Sequence, residues 1–283
     1  MTRPLRVLVT GATGTTATAL LPELRRREVE VTAASRNPPA TAGIRSARFD
    51  WYDPATHDAA LDDVDHAYLV PPPLDPDPAA AMVPFLERAR RRGVRRAVLL
   101  SASIVPAGGP AVGRVHQALP RVFDEWAVVR PSWFMQNFTG DHPHAREMRA
   151  EGTVTTATGD GRIGFVDAGD IAAVAARALT DDEVPGEDLV LTGPEALSYG
   201  DVAEAYSAVT GRPVAHRAIS QQALEKRFSA VMDPSAAAML ARVDGLVASG
   251  IEDRVTDTVE RVTGRPPRSL DDVLRRVSGS AAR

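Results

Sequence analysis

Short apolar runs alternate with helix-like segments along the first 130 residues. The first run, Leu5 to Thr10, is followed by a segment whose apolar side chains fall near helical spacing between residues 15 and 27. The pattern predicts strands over residues 5–10, 29–34, 46–49, 66–70, 96–100 and 126–130, and helices over 15–27 and 77–92. Strands that alternate with crossover helices indicate a parallel sheet covered on both faces.

The pattern changes after Pro131. Further strands are predicted over residues 153–157 and 188–191, and helices over 168–179, 199–209, 220–228, 234–249 and 269–277. We therefore predict an α/β chain with a Rossmann-type doubly wound parallel sheet and a smaller, mainly helical C-terminal lobe. The expected division is a Rossmann domain at 1–131 and a lobe at 132–283, with sheet and lobe partly interleaved.

Composition narrows the class of protein. The 283 residues carry a formal net charge of −4, so no basic footprint for nucleic acid is present. The chain has no cysteine, which excludes disulfides and cysteine-ligated metals. No apolar stretch approaches the ~20 residues that a membrane span needs, and the first strand follows the N-terminus too closely for a signal peptide. We expect a cytoplasmic protein without membrane or nucleic-acid partners, and leave the oligomeric state open.

A glycine-rich loop joins the first predicted strand to the first helix. Gly11 permits a tight turn, Gly14 lets a pyrophosphate approach the backbone, and the small Ala17 allows close packing of helix on strand. The helix N-terminus adds unpaired N–H groups and a partial positive charge. The loop therefore predicts a dinucleotide site.

The end of the second strand indicates which dinucleotide. An NAD site places a carboxylate there for the ribose 2′-hydroxyl, but this strand ends in Ala34, Ser35 and Arg36. A guanidinium can pair with a 2′-phosphate through two hydrogen bonds, and Ser35 adds a hydroxyl. We predict NADP(H) as the cofactor.

Several segments together resemble one family. In chain order they read "VLVTGATG", "ASRNP", "FDWYDPAT", "RAVLLSAS", "VVRPSWFMQNF", "ATGDGRIGFVDAGDIA" and "VTGRPPRS". Over about residues 4 to 275 the chain is similar to the NmrA-like group of atypical short-chain dehydrogenases, and most similar to its festuclavine dehydrogenase-like branch in ergot alkaloid biosynthesis.

The resemblance implies a Rossmann domain that binds NADP(H) and a C-terminal lobe that shapes a substrate pocket. Together with the motifs above, it assigns cofactor contacts to Gly11, Thr13, Gly14, Thr15, Thr16, Ser35, Arg36, Asp50, Val70, Pro71, Ser101 and Pro131. At Thr15 relatives often carry a lysine, so this chain lacks a positive charge that those relatives have in the phosphate loop. Asp50 would contact the adenine amine, although an ordinary loop or capping acid explains it as well.

The usual catalytic pair of short-chain reductases is missing. That pair is a tyrosine with a lysine four residues later, but the single lysine here is Lys226. It follows none of the four tyrosines at that spacing: Tyr52, Tyr68, Tyr199 and Tyr206. The bond that accepts the hydride is therefore one that needs no proton from a protein side chain, such as a C=N bond, or the proton comes from a group other than a Tyr–Lys pair.

Two residues near the fifth strand are candidate proton donors. Ser103 and His116 follow this strand, although His116 is also explained as a residue that packs or caps its helix. Trp133 and Phe134 follow the sixth strand and are candidates for the substrate pocket, or else for simple packing. His142 and His144 have metal-like spacing, but nothing completes a site, so we predict a solvated loop and no metal.

These observations lead to one prediction of function and two alternatives. We predict an NADPH-dependent reductase that transfers hydride to a C=O or C=N bond (ketone or iminium) of a bulky secondary metabolite, without a Tyr–Lys dyad. One alternative is a broad-specificity NADPH quinone reductase. The other is a non-enzymatic NADP-sensing regulator of NmrA type that docks on a transcription factor.

Overall fold

The computed structural model describes residues 3–38 and 40–281. The chain forms two compact units, each assembled from separate stretches of sequence. The first, here the sheet unit, comprises Met1–Pro131, Ala168–Leu191 and Arg261–Gly264. The second, here the lobe unit, comprises Ser132–Asp167, Thr192–Glu260 and Arg265–Arg283.

The strands of the described residues form one large sheet and one small sheet. They are β1 (Arg6–Thr10), β2 (Glu30–Ser35), β3 (Arg45–Arg48), β4 (His66–Leu69), β5 (Arg96–Leu100), β6 (Glu125–Pro131), β7 (Thr153–Thr156), β8 (Asp188–Leu191) and β9 (Ala215–Ala218). The large sheet has the order β3-β2-β1-β4-β5-β6-β8, and every pairing in it is parallel. The predicted Rossmann-type parallel sheet is therefore confirmed.

The helices of the described residues separate most of these strands. They are α1 (Thr15–Arg25), α2 (His57–Ala60), α3 (Ala79–Arg91), α4 (Gly113–Val122), α5 (Pro143–Glu151), α6 (Ala168–Thr180), α7 (Tyr199–Thr210), α8 (Gln221–Ser229), α9 (Pro234–Ala248), α10 (Thr258–Thr263) and α11 (Leu270–Ala281). Within residues 3–38 and 40–281, no helix is both long and apolar enough to cross a bilayer.

The order of the strands places a crevice in the sheet unit. The chain runs outward from β1 through β2 to β3, then returns to the other side of β1 to begin β4. Where the strand order reverses in this way, the loops after neighbouring strands diverge and leave a crevice at the carboxyl ends of the strands. The loops after β1, β2 and β4 therefore border the expected ligand site.

The last strand of the large sheet comes from far along the chain. β8 pairs with β6, where Val128 lies opposite Asp188 and Pro131 opposite Leu191. The preceding helix α6 packs against α1 and is buried along most of its length, because nine of its thirteen residues are alanine or aliphatic. Residues 168–191 thus complete the sheet unit, although they follow the predicted boundary at residue 131.

Helix α5 and strand β9 of the lobe unit were not predicted from the sequence. Helix α5 has the mostly polar sequence PHAREMRAE, in which only Ala145 and Met148 are buried, so no apolar stripe marks it. Strand β9 has the sequence AHRA and pairs in parallel with β7. Neither segment carries the apolar periodicity on which sequence reasoning depends.

A buried carboxylate joins several parts of the lobe unit. Asp167 is fully buried, and it accepts hydrogen bonds from Gln136 Nε2 at 2.6 Å and from Arg268 at 2.7 Å. Arg276 of α11 donates to the same carboxylate at 3.2 Å. The carboxylate therefore fixes the C-terminal helix to the interior of this unit.

Candidate functional site

A cleft of about 630 Å³ lies in the sheet unit at the carboxyl ends of β1, β2 and β4. We call it the nucleotide cleft. Eight of the predicted cofactor residues line it: Gly11, Thr13, Gly14, Ser35, Arg36, Asp50, Val70 and Pro71. The cleft occupies the expected crevice where the strand order reverses.

The glycine loop has the geometry of a phosphate cradle. Gly11 has a φ of +60°, and a Cβ there would lie 3.0 Å from the Cβ of Val70, so a side chain would be disfavoured by both backbone strain and a tight contact. The amide of Gly14 donates to the carbonyl of Gly11 at 2.8 Å, which closes the turn. Gly14 then caps α1 without a capping side chain, and the first N–H groups of the helix are left for an anionic ligand.

Thr15 and Thr16 do not line the cleft. Thr15 is the exposed first residue of α1, and Thr16 is buried. Thr13 is exposed and lines the cleft. Among the three threonines, the structure therefore favours Thr13 for a side-chain contact with a ligand.

The end of β2 presents two polar groups without protein partners. The buried hydroxyl of Ser35 has no hydrogen-bond partner among the described residues. The exposed guanidinium of Arg36 forms neither an ion pair nor a side-chain hydrogen bond within that same part of the chain. Since buried hydroxyls are normally satisfied, and most arginines here have acidic neighbours, both groups fit a nucleotide that carries a 2′-phosphate.

Aromatic side chains from the loop after β3 also line the cleft. Phe49 and Trp51 pack edge to face with ring centroids 4.8 Å apart, and the indole of Trp51 donates to the carbonyl of Val70 at 3.0 Å. Tyr52 donates to Asp75 at 2.6 Å, and partial burial together with Asp75 raises its pKa to about 12. Our assignments from the sequence omitted these three residues, although they stand in the quoted segment FDWYDPAT.

Asp50 combines a local role with a place in the cleft. One of its carboxylate oxygens accepts from the amide of Tyr52 at 3.0 Å, as in an ordinary turn. The same residue lines the nucleotide cleft. The two interpretations offered by the sequence are thus compatible with each other.

The loops after β5 and β6 are joined through backbone hydrogen bonds. The amide of Ser101 donates to Val129 at 2.8 Å, and that of Ser103 donates to Pro131 at 2.9 Å. The Ser101 hydroxyl is buried and has no hydrogen-bond partner among the described residues. Ser101, Ser103 and Pro131 do not line the nucleotide cleft.

His116 belongs to a buried polar network inside the sheet unit. Its Nε2 lies 2.7 Å from a carboxylate oxygen of Asp188, whose other oxygen accepts from Arg130 at 2.7 Å. Arg130 also donates to the carbonyl of Ser103 at 2.8 Å. The Nδ1 of His116 is buried without a partner in the described chain. The network therefore connects the His116 ring, through Asp188 and Arg130, to the backbone carbonyl of Ser103.

Three of the four tyrosines, namely Tyr52, Tyr68 and Tyr199, have a raised pKa and are poorly suited to donate a proton. Burial raises the pKa of Tyr68 and of Tyr199, so the phenolate that would remain after donation is strongly disfavoured. A short-chain reductase tyrosine needs the opposite shift, which a neighbouring lysine provides. The environments of these residues add to the absence of a Tyr–Lys spacing in the sequence.

A second cavity, of about 470 Å³, lies within the lobe unit, and we call it the lobe cavity. Trp133 lines it, but Phe134 does not; Phe134 instead forms a backbone bridge with Val166. His142 and His144 also line it. The predicted solvated loop is wrong for these two histidines, since His142 caps α5 and accepts from the amide of His144 at 3.2 Å.

Nothing in the described chain gathers three or more histidine, cysteine or acidic side chains as a metal site would. The two histidines are instead part of an aromatic group. His144 lies between Phe138 and Tyr199, with ring centroids 6.4 and 5.6 Å away. Burial is the main cause that lowers the pKa of His144 to about 4, and it also lowers the pKa of His142.

The neutral state of His144 should make stability depend on pH. The unfolded chain binds a proton at this residue below a pH of about 6.5, whereas the folded protein does so only near pH 4. The contribution of His144 to the free energy of unfolding is therefore fully present above a pH of about 6.5 and decreases as the pH falls toward 4. At pH 5 this decrease amounts to about 2 kcal/mol.

Urea unfolding of the wild-type protein and of His144→Gln at pH 8 and pH 5 tests this expectation. The variant should be less stable at pH 8, because it loses ring packing, but its further loss on going to pH 5 should be smaller than that of the wild type. An equal loss in both proteins would show that His144 does not cause the pH dependence.

Comparison with known proteins agrees with this architecture. A model of the NmrA-like family matches residues 125–263. The chain is 44% identical to an uncharacterized oxidoreductase, YesF, of Bacillus subtilis, over 94% of this chain and 93% of the relative. It is 37% identical to an agroclavine dehydrogenase of Claviceps purpurea, over 94% of this chain and 95% of the relative.

A solved structure shares the fold at lower identity. The quinone oxidoreductase QOR2 of Escherichia coli in complex with NADPH superposes with a TM-score of 0.82 at 22% identity, over 96% of this chain and 99% of that one. The common architecture extends over nearly the full length of both chains.

Proposed function

Because the chain belongs to the NmrA-like family and is an oxidoreductase, we propose that it is an NADPH-dependent reductase acting on a C=O or C=N bond of a bulky secondary metabolite. The sheet unit binds the cofactor, and the lobe unit supplies the substrate pocket with Trp133 and Phe134 as candidate contacts. This division of roles keeps the predicted domains at 1–131 and 132–283, except that residues 168–191 belong to the sheet unit.

One observation carries the cofactor assignment. Arg36 enters the nucleotide cleft at the end of β2 without an ion-pair partner among the described residues, next to the unsatisfied hydroxyl of Ser35. A free guanidinium at this position favours a 2′-phosphate over a 2′-hydroxyl. The glycine loop would hold the pyrophosphate, and Asp50 with its aromatic neighbours would contact the adenine.

The chain's own residues bind and orient rather than supply electrons. Bound NADPH supplies a hydride, which converts a ketone to an alcohol when a proton is added, or an iminium ion to a neutral amine without one. For a C=N acceptor the protein needs only to place the acceptor and exclude water. For a ketone, a proton must reach the oxygen, and Ser103 and His116 are the proposed donors.

The relatives named above support an oxidoreductase, and the agroclavine dehydrogenase among them supports a substrate from secondary metabolism. The quinone oxidoreductase shares the fold only, so it leaves the quinone alternative to experiment.

The direct test is the consumption of NADPH by the purified protein with three classes of acceptor. We expect turnover with cyclic iminium ions or bulky ketones, and weaker turnover when NADH replaces NADPH. Turnover with quinones alone would replace this proposal by the broad-specificity quinone reductase. Tight NADP(H) binding with no turnover across all three classes would favour the sensing role.

A further inference from the structure

The lobe cavity contains one carboxylate that has no cationic partner. Asp244 lies on α9 and lines the cavity together with Leu240 and Val243, which share its helix face. One of its oxygens accepts from the amide of Ala157 at 2.8 Å. Asp244 forms no ion pair with any residue in the described ranges. The carboxylate is thus oriented by the backbone while its charge is left uncompensated.

The other ionised groups of the cavity neutralise one another. Arg227 pairs with Glu147 at 3.1 Å. Glu147 also accepts from the hydroxyl of Thr155 at 2.6 Å and lies 3.4 Å from Arg217. These contacts hold the pKa of Glu147 below its usual value against the effect of burial. Arg227 is therefore already paired and does not make this cavity an anion site.

The histidines add no positive charge near neutral pH. Burial lowers the pKa of both His142 and His144, so neither ring supplies a positive charge near neutral pH. When Asp244 is ionised, its charge is therefore not balanced by a cationic group among the described residues that line the cavity. Burial also raises the pKa of Asp244, which is the cost that a bound cation would relieve.

Aromatic and aliphatic side chains make up the rest of the wall. Trp133, Tyr199 and Phe228 line the cavity, and Val231 and Met232 extend the apolar surface in the turn between α8 and α9. Rings of this kind attract a cation at their faces, and a desolvated cation gains more from them than an exposed one. The hydroxyl of Tyr199 makes no hydrogen bond with a residue that the structure describes, so it is also available to a ligand.

We propose that the lobe cavity binds a hydrophobic organic cation, a ring-bearing ammonium or iminium ion, with Asp244 as its counter-ion and Trp133, Tyr199 and Phe228 as its aromatic walls. The volume of about 470 Å³ suits a small polycyclic molecule. That this cation is the reductase's substrate rests on the proposed function; the binding itself does not.

The test measures binding without turnover, by calorimetry of the full chain in the absence of NADPH. The probes are trimethylphenylammonium and tert-butylbenzene, which have nearly the same shape and differ in charge. We expect the wild type to bind the ammonium ion about tenfold more tightly than the neutral probe. Asp244→Asn should weaken binding of the ammonium ion by about tenfold and leave the affinity for the neutral probe unchanged. The amide oxygen of asparagine can still accept from Ala157, which protects the fold.

Asp253→Asn is the matched control, because Asp253 is exposed in the same unit and outside the cavity. It should bind both probes as the wild type does. A second variant, Trp133→Leu, should weaken binding of the ammonium ion more than binding of the neutral probe.

The proposal is overturned if both probes bind the wild type equally, or if Asp244→Asn leaves the preference for the cation intact. In either case NADPH consumption with neutral ketones would still support the proposed function. If the cation binds as expected but no acceptor is reduced, the cation site stands and the reductase assignment falls.

Discussion

Replacing Ser103 or His116 by alanine should slow the reduction of a ketone by about 10²- to 10⁴-fold, the range usual for a lost proton donor. The same variants should reduce an iminium ion at a rate within about twofold of the wild type, because the product amine forms without an added proton. The contrast between the two acceptors, measured as kcat at saturating NADPH, identifies a proton-transfer role.

This contrast is needed because both residues also support the structure. The His116 ring contacts Asp188, and the carbonyl of Ser103 accepts from Arg130, which shares that carboxylate. A purely structural role would slow both acceptors alike and would also weaken NADPH binding. Ser207→Ala is a suitable control, since that hydroxyl donates to Ala203 within α7, outside the nucleotide cleft. Unchanged ketone reduction in both variants would assign the proton to water or to the substrate.

Arg36→Ala should weaken NADPH binding by about 10- to 150-fold, while NADH binding changes little. This range corresponds to the loss of about 1.5–3 kcal/mol that a hydrogen-bonded charged group contributes. The physical reason is that only the 2′-phosphate of NADPH offers a dianion to the guanidinium at the end of β2. Titration of both reduced cofactors, followed by nucleotide fluorescence, gives the two dissociation constants.

Arg121→Ala provides the control for charge in general. Arg121 is exposed on α4 in the same unit and does not line the nucleotide cleft. It should leave both constants unchanged. If Arg36→Ala weakened NADH as much as NADPH, the guanidinium would contact a part common to both nucleotides, and the 2′-phosphate assignment would be wrong.

Local sequence was enough to predict the nucleotide cleft. The loop containing Gly11 and Gly14 is shaped by residues a few positions apart, and Arg36 follows directly from the end of a strand. In each case the backbone geometry that matters is determined within one strand–loop–helix segment. The position of these residues at one crevice then follows from the parallel order of strands.

The lobe cavity could not be predicted in the same way. Asp244 accepts a hydrogen bond from the amide of Ala157 and interacts electrostatically with Tyr199. Both residues are distant from Asp244 in the sequence and lie outside its helix. His144 looks like part of a polar loop until α5 forms and places it among aromatic rings. Similarly, nothing near His116 in the sequence indicates Asp188 as its partner. Long-range packing decides all three.

The edge strand β8 has a consequence for how the protein is made. When residues 1–131 have emerged from the ribosome during translation, the sequences of β1 to β6 are present but those of α6 and β8 are not. The edge of β6 that pairs with β8 in the finished protein then has no partner strand. That edge includes Val128 and Val129, both fully buried in the finished protein. Open apolar edges invite pairing with other chains. We therefore expect the nascent chain to expose this edge until Leu191 emerges, and a fragment cut after Pro131 to lack the strand that pairs with β6.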